Sequence, residues 1–352
     1  MNTRKSSLKN RTALAKNRMA LAAAIAAAVG ALAPAPYASA SDRAPLHDAQ
    51  VVTHVRTAAA FDFAAGESPE NITVGPDGSV TLSMLGIPVG KAPELVRVAP
   101  SGERTVLVTG HAGDAFAGNA LDDRGNVYYN VFSTDASRSG VWKLAPGGSP
   151  VRLAGLPEGA LPNGLAIDPS GRALYVADSV KATVWSVPAS GGTATAWLAG
   201  DALAMDGSSP TSYGANGLRF HDGAVWISNQ SRGTLLRAPV AADGSAGPIR
   251  TVTTKVPGID DFTFLNGRSD VVFAALHATN EIALVRPDGT AETVLTAADG
   301  IASPTATAVR GDRLYITDSS LDQTPHVPKL QEGRIDLSAL SALSALFGRG
   351  AS

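Results

Sequence analysis

The sequence predicts an all-β fold, a six-bladed β-propeller of four-stranded antiparallel blades. Three observations carry this reading. A short phrase comes round six times, as PENITV, GNALDD, PNGLAI, ANGLRF, IDDFTF and PTATAV, at intervals of 49, 44, 53, 44 and 45 residues. Between recurrences lie short strands of alternating polarity, separated by Gly, Pro and Asp turns. One further strand, Val51 to Thr57, precedes the first phrase and has no blade of its own. Periods of this length, built from strands alone, are those of propeller blades.

In chain order, residues 1–40 read as a signal peptide. Six basic residues from Arg4 to Arg18 precede an apolar run from Met19 to Leu32 and a small-residue stretch ending Ala38-Ser39-Ala40, with cleavage expected after Ala40. The apolar run is 14 residues, short of the roughly 20 that a membrane span requires. No adjacent Arg pair marks the twin-arginine route, and no Cys follows for lipid attachment. The expected location is secreted or periplasmic, without stable membrane association after cleavage. Loss of the leader takes the formal charge from −2 to −8, so the mature chain offers no basic surface for nucleic acid. Cysteine is absent, which rules out disulfide staples. A single domain is expected over 41–345, followed by a flexible tail, 346–352, and the protein is expected to be a monomer.

The third repeat displays the blade unit. Asn163 opens the innermost strand, Pro169-Ser170-Gly171 turns, and Leu174 to Asp178, Thr183 to Val187 and Thr193 to Leu198 supply the next three strands. The fourth repeat follows the same order, with strands at Asn216 to Phe220, Ala224 to Asn229, Thr234 to Ala238 and Ile249 to Thr253. The sixth repeat has Thr305 to Val309, Arg313 to Asp318 and Gly333 to Leu337 but no fourth strand. Val51 to Thr57 is expected to complete it and close the ring. Two connections exceed their counterparts in length. Gly200 to Ala215, with Tyr213, overhangs the mouth as a candidate lid, and Ser319 to Glu332 contains His326.

One slot in the recurring phrase holds Glu70, Asn119, Asn163, Asn216, Asp260 and Thr305. Equivalent positions of a propeller converge on its axis. Two carboxylates gathered there repel one another or force a proton on, and a divalent cation relieves both costs. An all-oxygen donor set suits calcium first, with magnesium, manganese or zinc as alternatives. Asp178, Asn229 and Asp318 end second strands and form a possible further ring, with turn capping the competing role. His277 and His111 stand in mouth-side loops.

With these motifs the chain resembles the SMP-30/gluconolactonase/luciferin-regenerating enzyme family over about Val51 to Leu337. The matching residues are Ser-Pro-Glu70, Pro-Asn163-Gly-Leu, Ala-Asn216-Gly-Leu and Gly-Ile-Asp260. The resemblance implies a lactone hydrolase that holds one divalent metal through Glu70, Asn216 and Asp260. Asp260 would double as general base and Asn163 would contact substrate. Apart from the resemblance, His277 and Tyr213 are candidate substrate-binding residues from their mouth-side loops, His277 and His111 also being candidates to assist proton transfer. The metal would polarise a lactone carbonyl and activate water. Two departures from the family are Asn71-Ile72 where many lactonases carry Gly-Pro after the Glu, and Leu161 where the animal enzymes carry a sugar-binding Arg. They leave a non-catalytic ligand- or protein-binding propeller with a structural metal as the alternative, and strictosidine-synthase-like or paraoxonase-like chemistry as a third class. No G-x-S-x-G, HExxH, P-loop or Rossmann glycine pattern occurs.

Overall fold

The computed structural model describes residues 50–208 and 213–340. The expected signal peptide, 1–40, and tail, 346–352, lie outside the described residues. Six four-stranded antiparallel sheets are arranged as blades. Their innermost strands are Pro69–Val74, Ala115–Leu121, Pro162–Ile167, Ala215–His221, Ile259–Asn266 and Pro304–Arg310. We number the blades one to six in that order.

Burial falls off from the inside of each blade to its rim. Second strands such as Val80–Met84, Val127–Phe132 and Ala224–Asn229 are buried throughout, because both faces meet a neighbouring blade. Rim strands such as Arg104–Thr109 and Thr195–Ala199 are mostly exposed and alternate less strictly. Each blade-to-blade interface has its own apolar cluster. Blades one and two meet through Leu95, Phe116 and Tyr129. Blades three and four meet through Tyr175, Val184 and Leu218, and blades six and one through Ile72, Tyr315 and Leu330. A seventh cluster lies apart from these, at the mouth.

The sixth sheet draws on both ends of the chain. Val52–Ala60 runs antiparallel to Lys329–Ile335, with Val52 opposite Ile335 and Ala60 opposite Lys329. The third strand of this blade therefore starts four residues before the expected Gly333. Part of the long connection read as Ser319 to Glu332 is thus strand.

The two ends of the ring differ. At the bottom the chain turns tightly on Asp residues. Asp77 accepts from the amide of Ser79 at 3.0 Å, and Asp243 and Asp288 accept likewise from Ser245 and Thr290 at 2.9 Å. Hydrogen bonds from the hydroxyls of the same Ser79, Ser245 and Thr290, and then these amide bonds, hold the three carboxyl groups below their ordinary range. At the mouth the loops are longer and carry 3-10 turns, such as Ile87–Val89 and His277–Thr279.

At the axis three of the strand-to-strand contacts are so close that a side chain is excluded. A Cβ on Gly118 would lie 2.3 Å from the Asn163 carbonyl oxygen, one on Gly164 would lie 2.4 Å from that of Asn216, and one on Gly217 would lie 2.6 Å from Cα of Asp261. Gly118, Gly164, Gly217 and Asp261 are therefore equivalent, in successive blades. This corrects the slot in blade two. A bulge separates the pair Phe116–Val131 from the pair Asn119–Tyr129, as another separates Pro162–Asp178 from Leu165–Val176. Ala117, not Asn119, is the counterpart of Asn163. Asn119 lies two residues further down its strand, where it accepts from the Thr73 hydroxyl at 2.8 Å.

Gly164→Ala is expected to lower the melting temperature by several degrees, since overpacking of this kind costs about 1–3 kcal/mol. Gly267→Ala is the control, because a Cβ there meets nothing within 4 Å. Equal melting temperatures for the two variants would show that the axial contact is soft.

Candidate metal and substrate site

Each site side chain is aimed by the first turn of an innermost strand. The residue ahead of the bulge pairs with the end of the second strand, as Pro69 with Met84, Ala215 with Asn229 and Ile259 with Leu276. The bulge then turns the next residue, the slot, toward the axis. The slot backbone is tied to the preceding blade. Asn130 donates to the Asn163 carbonyl at 2.6 Å, and the hydroxyls of Ser228 and Ser83 donate to the carbonyls of Asp260 and Ala117. The Thr305 side chain has a structural task of the same kind, donating to the Pro69 carbonyl at 3.0 Å.

Glu70, Asn216 and Asp260 are brought together. Asn216 and Asp260 are buried and Glu70 is half-buried. Burial pushes the Glu70 carboxyl up to about 7, with His277 acting against the shift and Asp261 adding to it. Burial also drives Asp260 well above the usual carboxylate range. The charges of Glu70 and Asp261 reinforce this, and a hydrogen bond from the Asn216 amide opposes it. The carbonyl oxygen of Asn216 is buried without a hydrogen-bond partner. Two crowded carboxylates beside an unpartnered amide oxygen are a donor set that a hard divalent cation satisfies. Among the described residues no group of three His, Cys, Asp or Glu is placed to hold a metal, and the third donor here is a carboxamide.

His277 stands beside this set. Its Nδ1 lies 3.8 Å from Asp260 Oδ2 and has no hydrogen-bond partner, while its Nε2 lies 2.9 Å from Asp322 Oδ2. An ionised carboxylate only accepts, so Nε2 carries a proton and Nδ1 faces the site. Tyr213 is the described end of the long fourth-blade connection. Burial, then the charges of Glu70 and Asp260, push its hydroxyl far above the ordinary tyrosine value, so it stays protonated. Asn163 fills the third slot with its side chain half-buried. His111 is exposed and bonds locally through its carbonyl to the amide of Asp114.

The second-strand ring divides. Asp178 caps the blade-three loops, accepting from the amides of Leu161, Val180 and Lys181 and from the Trp185 indole. Asn229 donates to the carbonyls of Ala202 and Ala204, both at 2.9 Å. Asp318 differs, because its Oδ2 is buried without a hydrogen-bond partner and lies 3.9 Å from Lys329. Burial pushes this carboxyl up to about 7.

Below the slots lies a floor. Asp261 is buried, pairs with Arg219 at 2.6 Å, and accepts from Asn71 at 2.6 Å and from the amide of Phe262 at 2.7 Å. Under it, a cavity of about 1120 Å³ opens on the other end of the ring, lined at the axis by Thr73, Arg219, Thr263 and Thr307. That cavity contains neither Glu70 nor Asp260. Asp322 and Arg219 escaped the sequence reading. A charged residue inside an innermost strand was the available signal for Arg219, and Asp322 had none.

No protein-family model and no curated protein matches the chain. Solved structures do. A gluconolactonase from Xanthomonas campestris superposes with a TM-score of 0.60 at 16% identity, covering 80% of this chain and 89% of its own. Virginiamycin B lyase from Staphylococcus aureus gives 0.53 at 13%, covering 80% and 99%. An auxiliary nutrient binding protein from Bacteroides ovatus gives 0.58 at 12%, covering 77% and 70%. At these identities the likeness carries the fold alone, a β-propeller.

The raised carboxyls make a pH prediction. Asp318 has a folded value of about 7 against an ordinary 3.8, so the folded chain holds a proton that the unfolded chain has lost. Its contribution is fully present below about pH 4 and is lost as pH rises through 7. Asp318→Asn removes that loss. The variant is expected to melt several degrees above the parent at pH 8, with the gap narrowing at pH 5. Parallel melting curves for the two proteins would refute the assignment.

Proposed function

We infer that the protein is a divalent-metal-dependent hydrolase that opens a small lactone. The observation that carries this reading is the buried Asp260 and half-buried Glu70 beside the unpartnered side-chain oxygen of Asn216 at the mouth of the ring. These three residues would hold one divalent cation, calcium being favoured. Such an ion supplies Lewis-acid polarisation of a carbonyl and lowers the pKa of water.

The remaining work falls to the chain's own side chains. His277 Nδ1 accepts a proton from the attacking water, and Asp322 on Nε2 stabilises the imidazolium that results. As the ring C–O bond breaks, the same proton passes to the departing alkoxide, leaving a hydroxy acid. Asp260 thus serves the cation, and the proton is handled by the adjacent histidine. The Tyr213 hydroxyl remains a donor at working pH and can hold a substrate oxygen. Asn163, in the third slot, orients the substrate through its amide. The signal peptide expected over 1–40 would place this activity outside the cytoplasm.

The protein treated with chelator is expected to lose at least 100-fold in lactone hydrolysis and to recover with calcium. Asp260→Ala should abolish both the activity and the thermal stabilisation by calcium. His277→Gln should lose at least 100-fold in kcat but keep the stabilisation, which separates proton transfer from metal binding. Calcium stabilisation without turnover of any lactone would instead favour a binding propeller with a structural metal.

A further inference from the structure

The mouth has two unlike sides. Around His277 it is polar, with Asp318, Asp322 and Asn280 from blades five and six. Opposite, blades one to four contribute Leu85, Ile87, Phe132, Leu161, Val180 and Tyr213, which pack as one cluster distinct from the six between the blades. Each comes from a mouth-side connection or strand end. Their backbones are pinned. The Leu161 carbonyl accepts from Ser179 at 3.0 Å and its amide donates to Asp178 at 3.1 Å, while the Tyr213 carbonyl accepts from Ser231 at 2.9 Å. Leu85, Val180 and Tyr213 are only half-buried, so the cluster keeps an open edge. Tyr213 joins this wall to the acidic centre, since its hydroxyl lies in the field of Glu70 and Asp260.

We propose that this wall seats an aliphatic substituent, making the substrate class alkyl-substituted lactones rather than polyhydroxylated sugar lactones. The proposal rests on the hydrolase reading above. A lactone whose carbonyl meets the acidic centre directs its ring substituent either to the polar loops or to the wall. On the wall each buried methylene gains about fourfold in affinity. A hydroxyl placed there finds no donor or acceptor among these six side chains apart from Tyr213, and loses about tenfold or more.

The test compares the calcium-loaded protein on unsubstituted γ- and δ-lactones, their propyl to heptyl derivatives, and glucono-δ-lactone. Hydrolysis-inert lactams of the same chain lengths are titrated in parallel by calorimetry. The expected result is a kcat/KM rising about fourfold per methylene from propyl to heptyl, with glucono-δ-lactone at least 100-fold below the heptyl compound. Lactam affinity should rise with the same slope. Leu161→Gln should flatten that slope, and Val180→Thr, which keeps the side-chain shape, should reduce it should the first variant fold poorly. Lactam affinity independent of chain length, or a preference for glucono-δ-lactone, overturns the proposal. A rising lactam affinity without turnover of any lactone supports the wall and refutes the hydrolase reading, so the two failures are distinct.

Discussion

The architecture depends on how closely six innermost strands approach at one axis. At Gly118, Gly164 and Gly217 the backbone of one blade lies where a Cβ would be, against the backbone of the next. That approach carries the adjoining slot residues into one small volume, although they are scattered over more than two hundred positions of sequence. Where the series reaches Asp261 it carries a carboxylate, as it carries a methyl at Ala306 and a carboxamide at Asn71. The consequence is Arg219, two residues beyond Gly217 in the neighbouring strand, which turns to pair with it. A buried charge left alone would be costly, and here it is both paired and hydrogen-bonded.

Burial raises the Asp261 carboxyl even so, and above that floor the pairing is missing. Among the described residues Glu70 and Asp260 share a site without a cationic side chain paired as Arg219 is with Asp261, and burial raises both. The His277 ring has Nδ1 3.8 Å from Asp260 and is already engaged through Nε2 by Asp322. Contrast at short range is the informative feature. One acid in the ring is neutralised by design of its neighbours, and two are left in want of a counter-charge. Carboxyls perturbed in this way by burial and by one another cluster at sites of function.

The repeat made the architecture legible because its period, turn chemistry and alternating strands all point to the same blade. Glu70, Asn216 and Asp260 were legible for the same reason, as each sits one residue ahead of the close-approach position. Blade two was misread because its phrase was aligned on Leu121, an apolar residue two places after Asn119. Aligned on Gly118 instead, it gives Ala117, and the first two intervals become 47 and 46 residues. Glycine marks the register better than an apolar residue does, since apolar positions recur every second residue along a strand and close backbone contact occurs once. Asp322 was out of reach of such reasoning. It lies in an irregular mouth-side loop, where no periodicity relates sequence to direction.

The floor has a consequence for traffic. Asn71, Asp261 and Asn119 are buried at the axis, so the upper cup and the lower cavity are separate compartments. Any small molecule that reaches the acidic slots must leave by the opening through which it came. Arrival and departure are then governed by one set of loops, those of blades one to four on one flank and of blades five and six on the other. A change in these loops alters residence time and access together, while the Asp-anchored turns at the far end can vary without touching either.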